Sequence, residues 1–202
     1  MDLLLSILIG ISLSATAGFR LFIPLLVLSG FSLLGWVELS PNFAWIGTYH
    51  AFAALAVAAV LETAAYFFPY IDNLLGAAVT PIKLIAGMLI AASVMVEMPP
   101  MLTWTLAIIL GGGSAFGGSL ISNTAHAGST ATTGGFANPS LSLFESIIAF
   151  VLSILSILAP AIAIMALALL AVIVLRIYRR FRRNRPAGRN LLPQLTNPGN
   201  QE

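Results

Sequence analysis

Long apolar stretches separated by short polar ones dominate this chain, and their lengths carry the structural reading. Apolar side chains fill most of residues 3–34, 51–68, 74–96, 102–121 and 141–175. A helix needs about 20 apolar residues to cross the hydrocarbon of a bilayer. The three middle stretches therefore fit one crossing each. Residues 3–34 exceed one comfortable crossing and hold Gly18, Arg20 and Pro24 near their centre, which predicts a helix broken over 18–24. Residues 141–175 are also too long, with Pro160 near the middle. Ala159-Pro160-Ala161 offers no polar turn, so one broken but continuous element is expected there rather than a hairpin with unpaired backbone groups in lipid. The resulting fold class is an all-α polytopic membrane protein with five transmembrane helices, six being the alternative count, whose first and last elements are interrupted.

Polar positions mark the connections. Trp36, Trp45 and Tyr49 flank Glu38-Leu39-Ser40-Pro41-Asn42, the aromatic belt and turn chemistry of an interfacial loop. Pro69-Tyr70-Ile71-Asp72-Asn73 reads as a tight turn with Asp72 or Asn73 as a helix cap, Thr80-Pro81 predicts a kink, and Glu97-Met98-Pro99-Pro100 is a second turn. The segment 123–139 is neither apolar nor charged. It runs Asn123-Thr124-Ala125-His126-Ala127-Gly128-Ser129-Thr130-Ala131-Thr132-Thr133-Gly134-Gly135-Phe136-Ala137-Asn138-Pro139 and is dense in hydroxyls and glycines. Irregular backbone at membrane depth requires surrounding protein or water, so either a re-entrant polar loop or a plain exterior loop accounts for it. Asn138 and Pro139 supply a cap and a first helical residue, so a helix should open just after this loop. Ser142-x-x-Glu145 has the capping-box spacing, which assigns Glu145 to a helix start. Gly113 and Gly117 lie four apart on one helix face, and Gly10, Ser14 and Gly18 repeat the spacing in the first element. Small residues so placed let backbones approach, so these two elements should pack together.

Composition sharpens the membrane reading: 59% of the 202 residues are hydrophobic and 8% charged, against about 25% charged in soluble domains. Seven of nine basic residues lie between Arg176 and Arg189, directly after the last apolar stretch. By the positive-inside rule the C-terminus is cytoplasmic and the N-terminus outside, with Arg179, Arg180, Arg182 and Arg183 as topology and anionic-lipid anchors. Residues 1–178 thus form the transmembrane domain and 179–202 a basic, mobile tail. Ser14-Ala15-Thr16-Ala17-Gly18 mimics a signal-peptidase site, but Asp2 and the lack of Lys or Arg before it favour a retained segment. Without cysteine there is no disulfide or thiolate chemistry.

Several of these motifs occur in the same order in a known family. Ser14-Ala15-Thr16-Ala17-Gly18-Phe19-Arg20-Leu21-Phe22-Ile23-Pro24-Leu25-Leu26, then Leu61-Glu62-Thr63-Ala64-Ala65-Tyr66, Asp72-Asn73, and Gly128-Ser129-Thr130-Ala131-Thr132-Thr133-Gly134-Gly135 ending in Asn138-Pro139, resemble the bacterial membrane family named domain of unknown function 4126. The likeness covers roughly residues 9–171. It implies a polytopic bacterial inner-membrane protein and assigns no activity.

Charges inside spans are costly and mark function by default. Arg20 beside the helix break could meet an anion, or form a structural ion pair with Glu62. Glu62, one turn before Tyr66, suits proton or cation handling. Lys83 reads as snorkelling or as neutralised by Asp72. His126 is the titratable group of the polar segment, and His50 sits apart at an interface, so no metal site is expected. The candidate substrate or ion ligands are Arg20, Glu62, His126, Ser129, Thr130, Thr132, Thr133 and Asn138. Gly18, Pro24, Gly113, Gly117, Pro139 and Glu145 are structural. Metalloprotease, serine-hydrolase and phosphate-loop motifs are missing from the sequence, so no enzyme, cofactor or nucleic-acid partner is expected. Two classes remain: a small transporter or channel for an ion or small, perhaps anionic, solute, built where the break meets the polar segment, and a structural or lipid-organising membrane protein. Self-association is open in both.

Overall fold

The computed structural model describes residues 3–65, 79–96 and 98–183 and, within the last of these, not the side chains of 178 and 181–183. Among the described residues every regular element is helical. The chain runs α1 (Leu3–Phe19), α2 (Phe22–Leu33), a 3-10 segment (Pro41–Gly47), α3 (Tyr49–Ala65), α4 (Thr80–Val94), α5 (Pro100–Leu106), a π-helical turn (Ala107–Gly112), α6 (Gly113–Thr133), α7 (Asn138–Leu158) and α8 (Pro160–Arg183). The turn at 69–73 and the start of the third stretch lie outside the described residues, as does the tail beyond 183.

At the centre stands α1, packed against α4, α6, α7 and α8. Its buried positions include Ser6, Gly10, Ser12, Ser14, Thr16 and Gly18, small side chains that let neighbours come close. Burial of three of these hydroxyls carries little penalty because they find carbonyls: Ser12 Oγ donates to Leu8 O at 2.8 Å, Thr16 Oγ1 to Ser12 O at 2.8 Å, and Ser14 Oγ to Gly87 O on α4 at 2.7 Å. Ile9, Leu13, Ala17, Leu28, Ile90 and Val94 form one apolar cluster around this helix, and Phe19, Ile23, Ala149, Leu152 and Leu167 a second.

Three helical stretches are long and apolar enough to cross a membrane: Pro100–Thr133, Asn138–Leu158 and Pro160–Ile177. A fourth results if the 3-10 segment and α3, which meet at 66°, form one broken span. Within Pro100–Thr133 the π-helical turn places Gly111 against Gly87 of α4, where a Cβ on Gly111 would lie 2.6 Å from Gly87 O. Widening one turn there lets the two backbones touch.

Two expectations are corrected. Residues 123–133 are not a loop, re-entrant or exterior: α6 continues to Thr133, and the connection to α7 is only 134–137. Hydroxyls that would favour a loop bond back to their own helix instead, Thr124 to Leu120 O, Thr132 to Gly128 O and Thr133 to Ser129 O. Gly134, at φ +64°, ends the helix in the left-handed conformation open to glycine, its N–H reaching Thr130 O. The last stretch is not one continuous element. α7 and α8 pack on each other and both on α1, and each alone is long enough to cross. No polar turn is needed at Ala159, because its N–H donates to Leu155 O, its carbonyl accepts from Ile162 and Ala163, and Pro160 has no N–H to satisfy. Pro81 stands in the first turn of α4 as described, where a missing N–H costs nothing, and residues 74–78, against which the expected kink would be seen, lie outside the described residues.

Candidate functional site

The break predicted over 18–24 is present, between Phe19 and Phe22. Arg20 N–H still bonds Thr16 O at 3.2 Å. Pro24 cannot donate to the carbonyl of residue 20, four back, and its ring would strike it, so the helical ladder stops there. A break inside an apolar bundle exposes two helix ends, carbonyls at the end of α1 and N–H groups at the start of α2, with opposite partial charges.

Charged side chains of matching sign close both ends. Lys83 of α4 donates through Nζ to Phe19 O at 2.9 Å. Glu62 of α3 accepts from Leu21 N at 2.7 Å and from Phe22 N at 3.0 Å, one carboxylate oxygen to each. Ser119 Oγ of α6 donates to Gly18 O at 3.2 Å. Glu62 is thus a helix cap, and the Arg20–Glu62 pair is not the arrangement found. Arg20, fully buried, donates through Nη2 to Ser142 O at 2.7 Å and lies 3.6 Å from Glu145 Oε2. Reading Ser142-x-x-Glu145 as a capping box fails for the same reason. Helix α7 begins at Asn138, so both residues lie well inside it, Ser142 giving its carbonyl to Arg20 and Glu145 its carboxylate.

Glu145 is also held from α6. His126 Nε2 lies 3.1 Å from the same Oε2 that faces Arg20, and Ser122 Oγ reaches the carboxylate too. Arg20, in the break itself, and Glu62, Lys83, His126 and Glu145, from four helices, therefore meet around one discontinuity. Glu62, Glu145 and Arg20 all act electrostatically on Lys83. Among the described residues the cluster holds two basic side chains, two carboxylates and one imidazole, so its charges are matched rather than of one sign.

The polar part of α6 divides by face. Ser122, Asn123, His126, Ser129, Thr130 and Thr133 recur at helical spacing on one side. Asn123 Nδ2 bonds Thr80 Oγ1 at 3.3 Å, and Asn138 Nδ2 bonds Thr130 Oγ1 at 3.2 Å. Asn138 is buried and turned towards α6, so it does not cap α7, whereas Pro139 does stand in the first turn as expected. Ser129 Oγ is buried without a protein hydrogen bond. Thr132 is exposed on the other side, and Thr133, exposed at the helix end, accepts from Ala137 N. Neither belongs to the charged cluster.

Close packing of α1 on α6 holds the cluster, as the glycine spacing foretold, though through other glycines. A Cβ on Gly18 would lie 2.6 Å from Ser119 N and against Ala115 O, and one on Gly118 would collide with Ala15 O. Gly113 and Gly117 have no neighbour within 4 Å of a built Cβ. Gly118 carries the contact with α1, while Gly111, in the π-helical turn, packs on Gly87 and Ala91 of α4. Lys83, 3% exposed, is the functional candidate that sequence reasoning passed over. Its signal was the flanking Ile82, Leu84 and Ile85, too apolar a setting for a snorkelling chain. An apolar cavity of about 660 Å³ between α2 and α3, lined by Ile23, Leu26, Ala59 and Thr63 among others, holds no ionisable group. Among the described residues no three His, Asp or Glu groups gather as a metal site. At the far end of α8, Arg179 and Arg180 are exposed, and α8 remains helical through Arg182 and Arg183.

Apolar helices of crossing length around a buried, charge-matched helix break define an all-helical protein compatible with embedding in a membrane. Within that class, the chain belongs to the family described as domain of unknown function (DUF4126), whose model matches residues 7–180. Neither a curated protein nor a solved structure matches it.

Proposed function

We propose that this protein moves an ion or small solute across a bacterial inner membrane, at the break between α1 and α2. One observation carries the reading: ionisable side chains from four helices converge on Arg20 in that break, and Arg20 is fully buried. A charge held away from water is costly and is kept where it binds or passes something. Broken helices are the recurring device for such sites, since their ends offer both partial charges to a ligand. Because every cation of the cluster faces a carboxylate or a carbonyl, a small cation or proton suits the site better than a free anion.

The exposed Arg176, Arg179 and Arg180 at the end of α8 support a second reading, a lipid-organising protein that holds anionic head groups. Thermal unfolding of the detergent-solubilised protein separates the two. A panel of monovalent and divalent ions, small anions and anionic lipids is titrated against the native chain and Arg20→Lys. An ion that binds the folded state must raise its melting temperature. Stabilisation by one ion class, lost in Arg20→Lys, is expected. Stabilisation by anionic lipid alone, unchanged in Arg20→Lys and lost when Arg176, Arg179 and Arg180 are replaced by Gln, hands the protein to the second reading.

A further inference from the structure

We infer that the species handled at this site is the proton, and that His126 and Glu145 are the pair that takes it up. The inference rests on the transport reading and names its substrate. The geometry is specific: a single carboxylate oxygen, Glu145 Oε2, is shared between His126 Nε2 at 3.1 Å and Arg20 Nη2 at 3.6 Å. An imidazole and a guanidinium beside one oxygen make its occupancy by a proton matter, because a neutral Glu145 no longer attracts Arg20.

An approach to this oxygen is also present. Along one face of α6 the side chains pass from exposed to buried: Thr133 is exposed, Thr130, Ser129, His126 and Asn123 are half-buried, and Ser122 is 4% exposed. The face leads from the α6–α7 connection, at the end of the 34-residue helical stretch Pro100–Thr133, to Glu145. At about 1.5 Å per residue this stretch is about 50 Å long, more than the hydrocarbon core of about 30 Å requires, so its last polar turns are available to water. Two hydroxyls beside the path, Ser129 Oγ and Ser142 Oγ, are buried and make no protein hydrogen bond. Each keeps donor and acceptor capacity for a proton in passage.

The step balances without a co-reactant. A proton from the aqueous side adds to the imidazole, giving imidazolium beside carboxylate. The Nε2–H bond then breaks as the Oε2–H bond forms, leaving neutral His126 and neutral Glu145. Release from Oε2 restores the starting charges. Among the described residues, the ionisable groups acting on the pair are Arg20, in the break after α1, and Lys83 of α4, with Glu62 of α3 acting in turn on Lys83. Helix α2 carries none, and those of α8 lie at its far end. Within this setting His126 and Glu145 share one close contact, at 3.1 Å, along which a proton can pass between nitrogen and oxygen.

The test uses the full chain in liposomes loaded with a pH-sensitive dye, under an imposed potassium diffusion potential, with sodium and chloride fluxes followed in parallel. Proton flux above protein-free liposomes is expected, falling at least tenfold in His126→Gln and in Glu145→Gln and unchanged in His50→Gln. Proton flux that persists undiminished in His126→Gln overturns the assignment. Sodium or chloride flux without proton flux overturns it while leaving the transport reading standing, and no flux of any ion removes both. If His126→Gln does not fold, the chain's two histidines allow a second measurement: in His50→Gln the single remaining imidazole is followed by NMR. A titration of His126 that Glu145→Gln displaces supports the pair, and one indifferent to Glu145→Gln sinks it.

Discussion

Two helix breaks in this protein solve the same problem by opposite means. At Ala159 the backbone closes its own gap: the N–H goes to Leu155 O, the carbonyl takes two donors from α8, and Pro160 brings no N–H to satisfy. At Arg20 the gap is closed by side chains from elsewhere, Lys83 on the carbonyl end and Glu62 on the N–H end. A turn that satisfies itself attracts no charge. One that does not draws ionisable groups into an apolar bundle, and those groups then need partners of their own, which is how Arg20, Glu145 and His126 come to share one site. Only the second kind of break can respond to an ion.

The largest expected effect that probes this contrast is at Arg20. Arg20→Ala leaves a buried carboxylate without its guanidinium and should cost about 3–5 kcal/mol in unfolding measurements, while adding Glu145→Ala should recover part of the loss. Additive losses would show that the two residues are not coupled. Next comes the cap. Glu62→Gln keeps the shape but removes the charge facing Leu21 and Phe22 N–H, for an expected loss of about 1–3 kcal/mol. A comparable loss, about 1–3 kcal/mol, is expected for Gly18→Ala, because its Cβ would enter the α6 backbone. Pro160→Ala should move stability by less than about 1 kcal/mol, since that break does not depend on an imported partner. If Pro160→Ala proves as damaging as Glu62→Gln, the contrast between the breaks fails. Smallest of all is Gly117→Ala, neutral or stabilising by up to about 1 kcal/mol, because its side chain would meet open space in mid-helix.

Much of the architecture was legible in residue order. Stretch lengths and prolines marked both breaks, and Gly18 announced the close approach of α1 and α6. The segment 123–133 was misread because serine and threonine favour loops through local hydrogen bonds, and the same bonds are satisfied just as well one turn back along a helix. Gly113 and Gly117 were misplaced because spacing defines a face without saying which way it turns, and Gly118, one residue on, is the glycine turned to α1. Lys83 was underrated because its partner, the Phe19 carbonyl, is a backbone group that no side-chain motif advertises.

By itself, the sequence determined the helical and apolar character of this protein and where its helices must stop, since hydrophobic length and the missing proline N–H are properties of the local chain. The tertiary structure alone decided which charges meet. Glu62, rather than binding Arg20, caps α2; Glu145, rather than capping α7, stands between Arg20 and His126. Pairing among buried charges is set by which helix faces turn towards one another, and that depends on packing between residues far apart in the chain.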